Sequence, residues 1–132
     1  MASIDEFLRR TLQAEGSDLH IAAGSAPILR VHGSLHAFQS PPLGAAQAEQ
    51  VLKQIVPEHL RRSLEGGDEV DFAYALEGAG RFRVNIYRDR HGMSGSFRAI
   101  PGKIPTPIEL GLPRVVLDFC AQARGLILVT GP

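Results

Sequence analysis

Gly80-Arg81-Phe82-Arg83-Val84-Asn85-Ile86-Tyr87 is the stretch that decides the fold. Phe82, Val84 and Ile86 alternate with Arg81, Arg83 and Asn85, so one side of this segment is dry and the other wet. A period of two is the signature of a strand. Met93–Ile100 should pair with it as the following strand. On its other side, Glu77–Gly80 reads as a turn. Phe72, Tyr74 and Leu76, alternating with smaller residues, read as the strand before that turn.

Working back toward the N-terminus, Ser3 and Glu6 form a Ser-x-x-Glu capping box. Ile4, Phe7, Leu8 and Leu12 follow at helical spacing, which predicts a helix over about 3–14, ended by Gly16. Asp18–Ala23 and Pro27–His32 read as two strands, and Gly33-Ser34 as a turn. Leu35–Phe38 returns as a short strand, making a hairpin. Pro41 and Pro42 mark a loop. Ala45–Val56 is expected to be a helix with Val51, Leu52, Ile55 and Val56 inward. Pro57 suits the start of a second helix over Glu58–Leu64, and Gly66-Gly67 stops it.

Beyond Ile100 the character changes. Pro101, Pro105, Pro107 and Pro113 with two glycines predict an extended, stiff linker. Pro113–Ala123 reads as a short helix with Val115, Val116 and Phe119 apolar. Leu126-Ile127-Leu128-Val129 is a continuous apolar run, the pattern of a strand buried on both faces of a parallel sheet. The strand is expected to lack its partners here. The chain has no internal repeat and no low-complexity segment.

Composition narrows the classes. The chain has 132 residues, enough for one compact domain. Its formal net charge is zero, with no bias toward nucleic acid or membrane. The charges are unevenly placed. Residues 65–77 hold Glu65, Asp68, Glu69, Asp71 and Glu77 and no basic residue, while residues 81–98 hold Arg81, Arg83, Arg88, Arg90 and Arg98 against Asp89 alone. Only Lys53 and Lys103 among the 14 basic residues are not arginine. Arginine favours forked contacts to carboxylate or phosphate. The single cysteine, Cys120, allows no intrachain disulfide. Beside Val116 and Phe119 it is expected to be a small buried hydrophobe. The first residues lack the apolar core of a signal peptide, and no apolar run is long enough to span a membrane. Of the five histidines, His32 and His36 stand four apart, but a turn signal at Gly33-Ser34 separates them; no H-E-x-x-H spacing occurs and no cysteine accompanies them, so no metal site is expected. The acidic edge of Asp68, Glu69 and Asp71 reads as a solvated face, or as a surface that meets the basic strands of a neighbouring subunit.

Three segments carry a resemblance that runs over essentially the whole chain. Ser17-Asp18-Leu19-His20-Ile21, then Pro27-Ile28-Leu29-Arg30-Val31-His32-Gly33, resembles the opening of the secretion ATPase superfamily, which includes type II secretion and type IV pilus motors. Gly80-Arg81-Phe82-Arg83-Val84-Asn85 and Phe97-Arg98-Ala99-Ile100-Pro101 resemble its pilus retraction branch, the PilT and PilU proteins. Gly125-Leu126-Ile127-Leu128-Val129-Thr130-Gly131-Pro132 resembles the strand entering the Walker A loop, which the family continues as T-G-S-G-K-[ST]. The first helix begins almost at residue 1, without the long extension usual in assembly motors, which favours the retraction branch.

The resemblance implies an α/β (α+β) chain. Residues 1–100 would form a PAS-like six-stranded antiparallel sheet with flanking helices, and 101–113 an interdomain linker. Residues 114–132 would begin a RecA-like ATPase domain, cut at the Walker A loop. It implies a full-length parent that is a homo-hexameric motor using ATP and Mg²⁺ to power pilus retraction and twitching motility. That parent would be cytoplasmic, held peripherally at the inner membrane by the platform protein of the pilus machinery, and would have no nucleic-acid partner. In the family, arginines of the N-terminal domain reach nucleotide in the cleft between domains. Carried over by position, Arg83 and Arg98 lead, followed by Arg81, Arg88 and Arg90. Of the phosphate-binding loop only its first glycine, Gly131, has a counterpart. The Walker A Lys, the catalytic carboxylates and the later His motif have none, so these residues alone are expected to hold no catalytic group and no cofactor. A free-standing PAS-like sensory or interaction module is the competing reading. Such a sensor needs an apolar pocket, which Phe72, Tyr74, Phe82 and Phe97 would instead fill.

Overall fold

The computed structural model describes residues 3–131, which separate into two compact units, one ending at Gly102 and the other beginning at Lys103. In the first unit, α1 (Ile4–Gln13) opens where the Ser3 hydroxyl accepts from the Glu6 amide at 3.3 Å. Ile4, Phe7, Leu8 and Thr11 recur on one side of it and are buried. The remaining elements are β1 (Gly16–Ile21), β2 (Ile28–Val31), β3 (Ser34–Ala37), α2 (Ala45–Lys53), α3 (Glu58–Glu65), β4 (Val70–Leu76), β5 (Gly80–Asp89) and β6 (Gly92–Ile100). The six strands make one antiparallel sheet in the order β3-β2-β1-β6-β5-β4.

The pattern that predicted β5 organises the sheet. Phe82, Val84 and Ile86 are fully buried, as are Leu19, Met93 and Phe97 of the neighbouring strands. Leu8 of α1, Val51 and Leu52 of α2 and Leu64 of α3 complete this core. Two glycines allow close approach. A Cβ on Gly95 would sit 2.7 Å from Leu52 Cδ2, so the Leu52 side chain packs into the space that the glycine leaves on β6. A Cβ on Gly16 would sit 2.8 Å from Thr11 Cγ2, beside the bulge at Ser17 that shifts the register of β1 against β2.

Several expectations shift in this unit, and β1, expected over 18–23, runs Gly16–Ile21. The β2–β3 turn is His32-Gly33, with φ of 46° and 85°, one residue earlier than Gly33-Ser34. Two positive φ values match the right-handed twist of the flanking strands. The expected helix 45–56 ends at Lys53, because Ile55 and Val56 close tighter bonds to the carbonyls of Leu52 and Lys53 before Pro57. Strand β4 begins at Val70, two residues before the apolar alternation becomes visible.

The second unit contains α4 (Val115–Cys120) and turns. The expected extended linker instead folds into a turn at Pro107–Leu112, where Leu110 and Leu112 amides donate to Thr106 and Pro107 carbonyls at 3.0 and 2.9 Å. Thr106 and Glu109 cap one another across it: the Thr106 amide donates to Glu109 and the Glu109 amide to the Thr106 hydroxyl. The expected helix 113–123 is shortened to α4. The expected strand at 125–130 does not form. Leu126 to Val129 are exposed and unpaired among the described residues, since a strand needs a neighbour to satisfy its amides and carbonyls. Cys120 is also exposed, against its expected burial, because α4 buries none of its residues. No described helix is long and apolar enough to cross a membrane.

Candidate functional site

All the helices that feed the core pack on the side of the sheet where Phe82, Val84 and Ile86 point. The strand residues of opposite parity remain on the other face, which carries the charge. Register aligns them in rows. In one row Ala73, Arg83, Arg98, Asp18 and Arg30 are successive cross-strand neighbours from β4 to β2. In the next, Asp71, Asn85, Ser96 and His20 are neighbours. Asp18, His20, Asp71, Arg83, Asn85, Ser96 and Arg98 line a shallow depression of about 270 Å³.

Arg83 and Arg98 therefore face each other directly, an arrangement in which like charges repel. Each is steadied by a carboxylate. Arg83 forks onto Asp71, with Nε 3.1 and 3.2 Å from the two oxygens and Nη2 at 2.9 Å. That bond holds Asp71 below its ordinary carboxylate range and raises Arg83 above its usual value. Arg98 donates Nε to Asp18 Oδ1 at 3.1 Å. The Ser17 hydroxyl donates to Asp18 Oδ2 at 2.8 Å, and Arg30 Nε lies 3.8 Å from the same oxygen. Burial would raise the Asp18 carboxyl, but Ser17, Arg98 and the nearby His20 outweigh it, so Asp18 stays ionised below the usual range.

The two pairs differ in setting. The Asp18 side chain is only 13 % exposed, whereas that of Asp71 is 44 % exposed. Among the described residues Arg98 uses only Nε, which leaves its terminal nitrogens available for an anion. Arg81 sits on the same face, opposite Ile100, and makes no side-chain bond among the described residues. The face can bind an anion through guanidinium forks, with the Asn85, Ser96 and His20 side chains as further hydrogen-bond partners.

The structure thus brings Arg81, Arg83 and Arg98 onto one face and separates Arg88 and Arg90 from them. Arg88 has core-side parity and donates to Glu49 of α2 at 2.9 Å. Arg90 lies in the β5–β6 turn, its Nε 2.9 Å from His91 Nε2. Gly131 belongs to the second unit and is exposed; its expected loop neighbour Pro132 lies outside the described residues. Asp71, expected on a solvated edge or at a neighbouring subunit, is committed to Arg83 of its own chain. Among the described residues no group of histidine, cysteine and carboxylates could hold a metal. Asp18 and Asp71 are the site residues that sequence reasoning missed as partners. Strand parity could have placed both on the arginine face, but pairing Asp18 with Arg98 needs the β1–β6 contact, which spans 80 residues.

No family model matches the chain. Individual proteins do. The chain is 37 % identical over 129 residues to the type IV pilus retraction ATPase PilT of Pseudomonas aeruginosa, covering 98 % of this chain and 38 % of that protein. It is 32 % identical to PilU of the same organism, covering 96 % of this chain and 33 % of PilU. A crystal structure of the pilus retraction motor PilT with bound ADP superposes with a TM-score of 0.84 at 34 % identity, over all of this chain and 39 % of that one. The Legionella pneumophila ATPase DotB shares the fold, with a TM-score of 0.72 at 21 % identity over 92 % of this chain and 35 % of DotB. The chain spans less than two fifths of the length of the relatives it matches.

Proposed function

This chain is homologous to the PilT/PilU type IV pilus ATPases, matching the PilT N-terminal region, and on that premise we propose that it serves as the N-terminal domain of a pilus retraction motor. Residues 1–100 act as a PAS-like domain, 101–113 as a linker, and 114–132 as the opening of an ATPase domain whose first loop glycine is Gly131. The parent is a hexamer that holds ATP and Mg²⁺ in its ATPase domain and works from the cytoplasm against the inner-membrane platform of the pilus machinery. This domain contributes Arg83 and Arg98, with Arg81 beside them, to the phosphates of that nucleotide. It also contributes surface to contacts between subunits, and it hydrolyses nothing by itself.

The observation that carries the reading is the cross-strand pairing of Arg83 with Arg98 on a sheet face that the domain's own helices leave uncovered. Two guanidinium groups facing each other at an open surface form a receptor for an anion with several oxygens, and charge developing on a transferred phosphoryl group is what such groups stabilise. The sensory-module reading loses support because Phe82 and Phe97, both fully buried, occupy the core where a small ligand would sit.

The test is ATP turnover by the full-length protein carrying Arg83→Ala or Arg98→Ala. Turnover should fall by about tenfold or more, given what arginines contribute to phosphoryl transfer, with hexamer assembly and thermal stability unchanged. Full turnover in both variants would sink the assignment.

A further inference from the structure

We propose that Asp71 is an internal substitute for phosphate, holding Arg83 while the site is empty and releasing it to an incoming phosphate group. The proposal rests on the reading of Arg83 and Arg98 as phosphate-binding residues and adds to it a division of labour between them.

The geometry of the Asp71 contact is that of a bound oxyanion. Both Asp71 oxygens lie within 3.2 Å of Arg83 Nε, and Nη2 reaches Oδ2 at 2.9 Å. This is the forked edge that a phosphate would take, so Arg83 cannot offer it to ligand while Asp71 holds it. The pair is open to water, with side chains 69 % and 44 % exposed. Exposed ion pairs contribute little and exchange readily. Asp18 is set the other way. It is mostly buried, bonded by Ser17 as well as Arg98, and engages Arg98 through Nε alone. It fixes the direction of Arg98 through Nε and, among the described residues, leaves both terminal nitrogens free, whereas Asp71 takes Nε and Nη2 of Arg83. One arginine is therefore held ready, and the other changes partner.

The direct opposition of Arg83 and Arg98 sets the ligand class. Drawing Arg83 away from Asp71 toward Arg98 costs repulsion unless the anion carries enough charge to bridge both. Condensed phosphates, such as the terminal groups of a nucleoside di- or triphosphate, do so better than a single phosphate.

The experiment titrates the 132-residue chain with inorganic pyrophosphate at low salt, following the arginine Nε–Hε signals by NMR. In the wild type the signals of Arg83 and Arg98 should both move, and inorganic phosphate should bind more weakly. Asp71→Asn should tighten pyrophosphate binding by about three- to fivefold, the scale of a weak exposed pair. Asp68→Asn, which removes the same charge nearby without touching Arg83, should tighten it less. Equal gains from the two variants, or no gain from Asp71→Asn, would overturn the proposal and leave the phosphate reading standing. Binding by neither wild type nor Asp71→Asn would overturn both.

Discussion

The two faces of one sheet are built from the same strands and have opposite energetics. On the helix side Leu19, Phe82, Val84, Ile86 and Phe97 are dry. On the other side, one residue away in each strand, stand Asp18, His20, Arg81, Arg83 and Arg98. The first face supplies stability through burial of apolar surface, and the second spends little of it. Folding and chemistry are therefore separable by strand parity. Substitutions at even positions of β5 should act on stability, and those at odd positions on the arginine site.

The largest effect should come from Phe82→Ala. A fully buried phenylalanine leaves a cavity when truncated, and the expected loss is about 3–5 kcal/mol, measured by denaturant unfolding. A loss smaller than that of an exposed substitution would break the division between faces.

Asp18→Asn should have an intermediate effect and sharpens the comparison, because Asp18 is the charged-face residue that is mostly buried. It should cost about 1–2 kcal/mol near neutral pH, the scale of a charge-assisted bond lost in a partly buried setting. The sign with pH follows from its lowered value. Since the folded state favours the carboxylate, the contribution is complete above the unfolded carboxylate range and is lost as pH falls through the lowered folded value. The variant should narrow its gap to the wild type in acid; a gap constant with pH would contradict the ion pairing.

The smallest effect on folding should come from Arg83→Ala. Its side chain is exposed and its only described partner is exposed Asp71. The unfolding midpoint should stay within experimental error of the wild type, so any loss of turnover in the full-length protein reports on the site alone.

Much of this was legible before the fold. The alternation in Gly80–Tyr87 is periodic enough to place every side chain of β5 on its face. Helix α1 carries both its cap and its apolar stripe in sequence. The start of β4 was hidden because Glu69 and Asp71 resemble loop residues, and only pairing of Val70 with Ile86 makes them strand. Leu126–Val129 has the composition of a buried strand, but composition cannot supply the neighbours that would bury it. Arg83 and Arg98 stood out by resemblance to a family. Parity also put Arg81 with them, and it would have excluded Arg88, which falls on the even side. Parity could have put Asp18 and Asp71 on the arginine face, but that Asp18 pairs with Arg98 was not legible, because tertiary structure alone sets that contact.

That pairing has a consequence for folding. β1 and β6 join at the centre of the sheet, yet they are the first and last strands of their unit. Their contact closes a long loop, which is the slow kind of event in assembling a domain. Asp18 and Arg98 sit on the two sides of this seam. The carboxylate that orients Arg98 is therefore not in place until the first and last strands have met. An anion that binds Arg98 better when Asp18 holds it in place favours the completed domain over partly folded forms, and its stabilisation grows with ligand concentration.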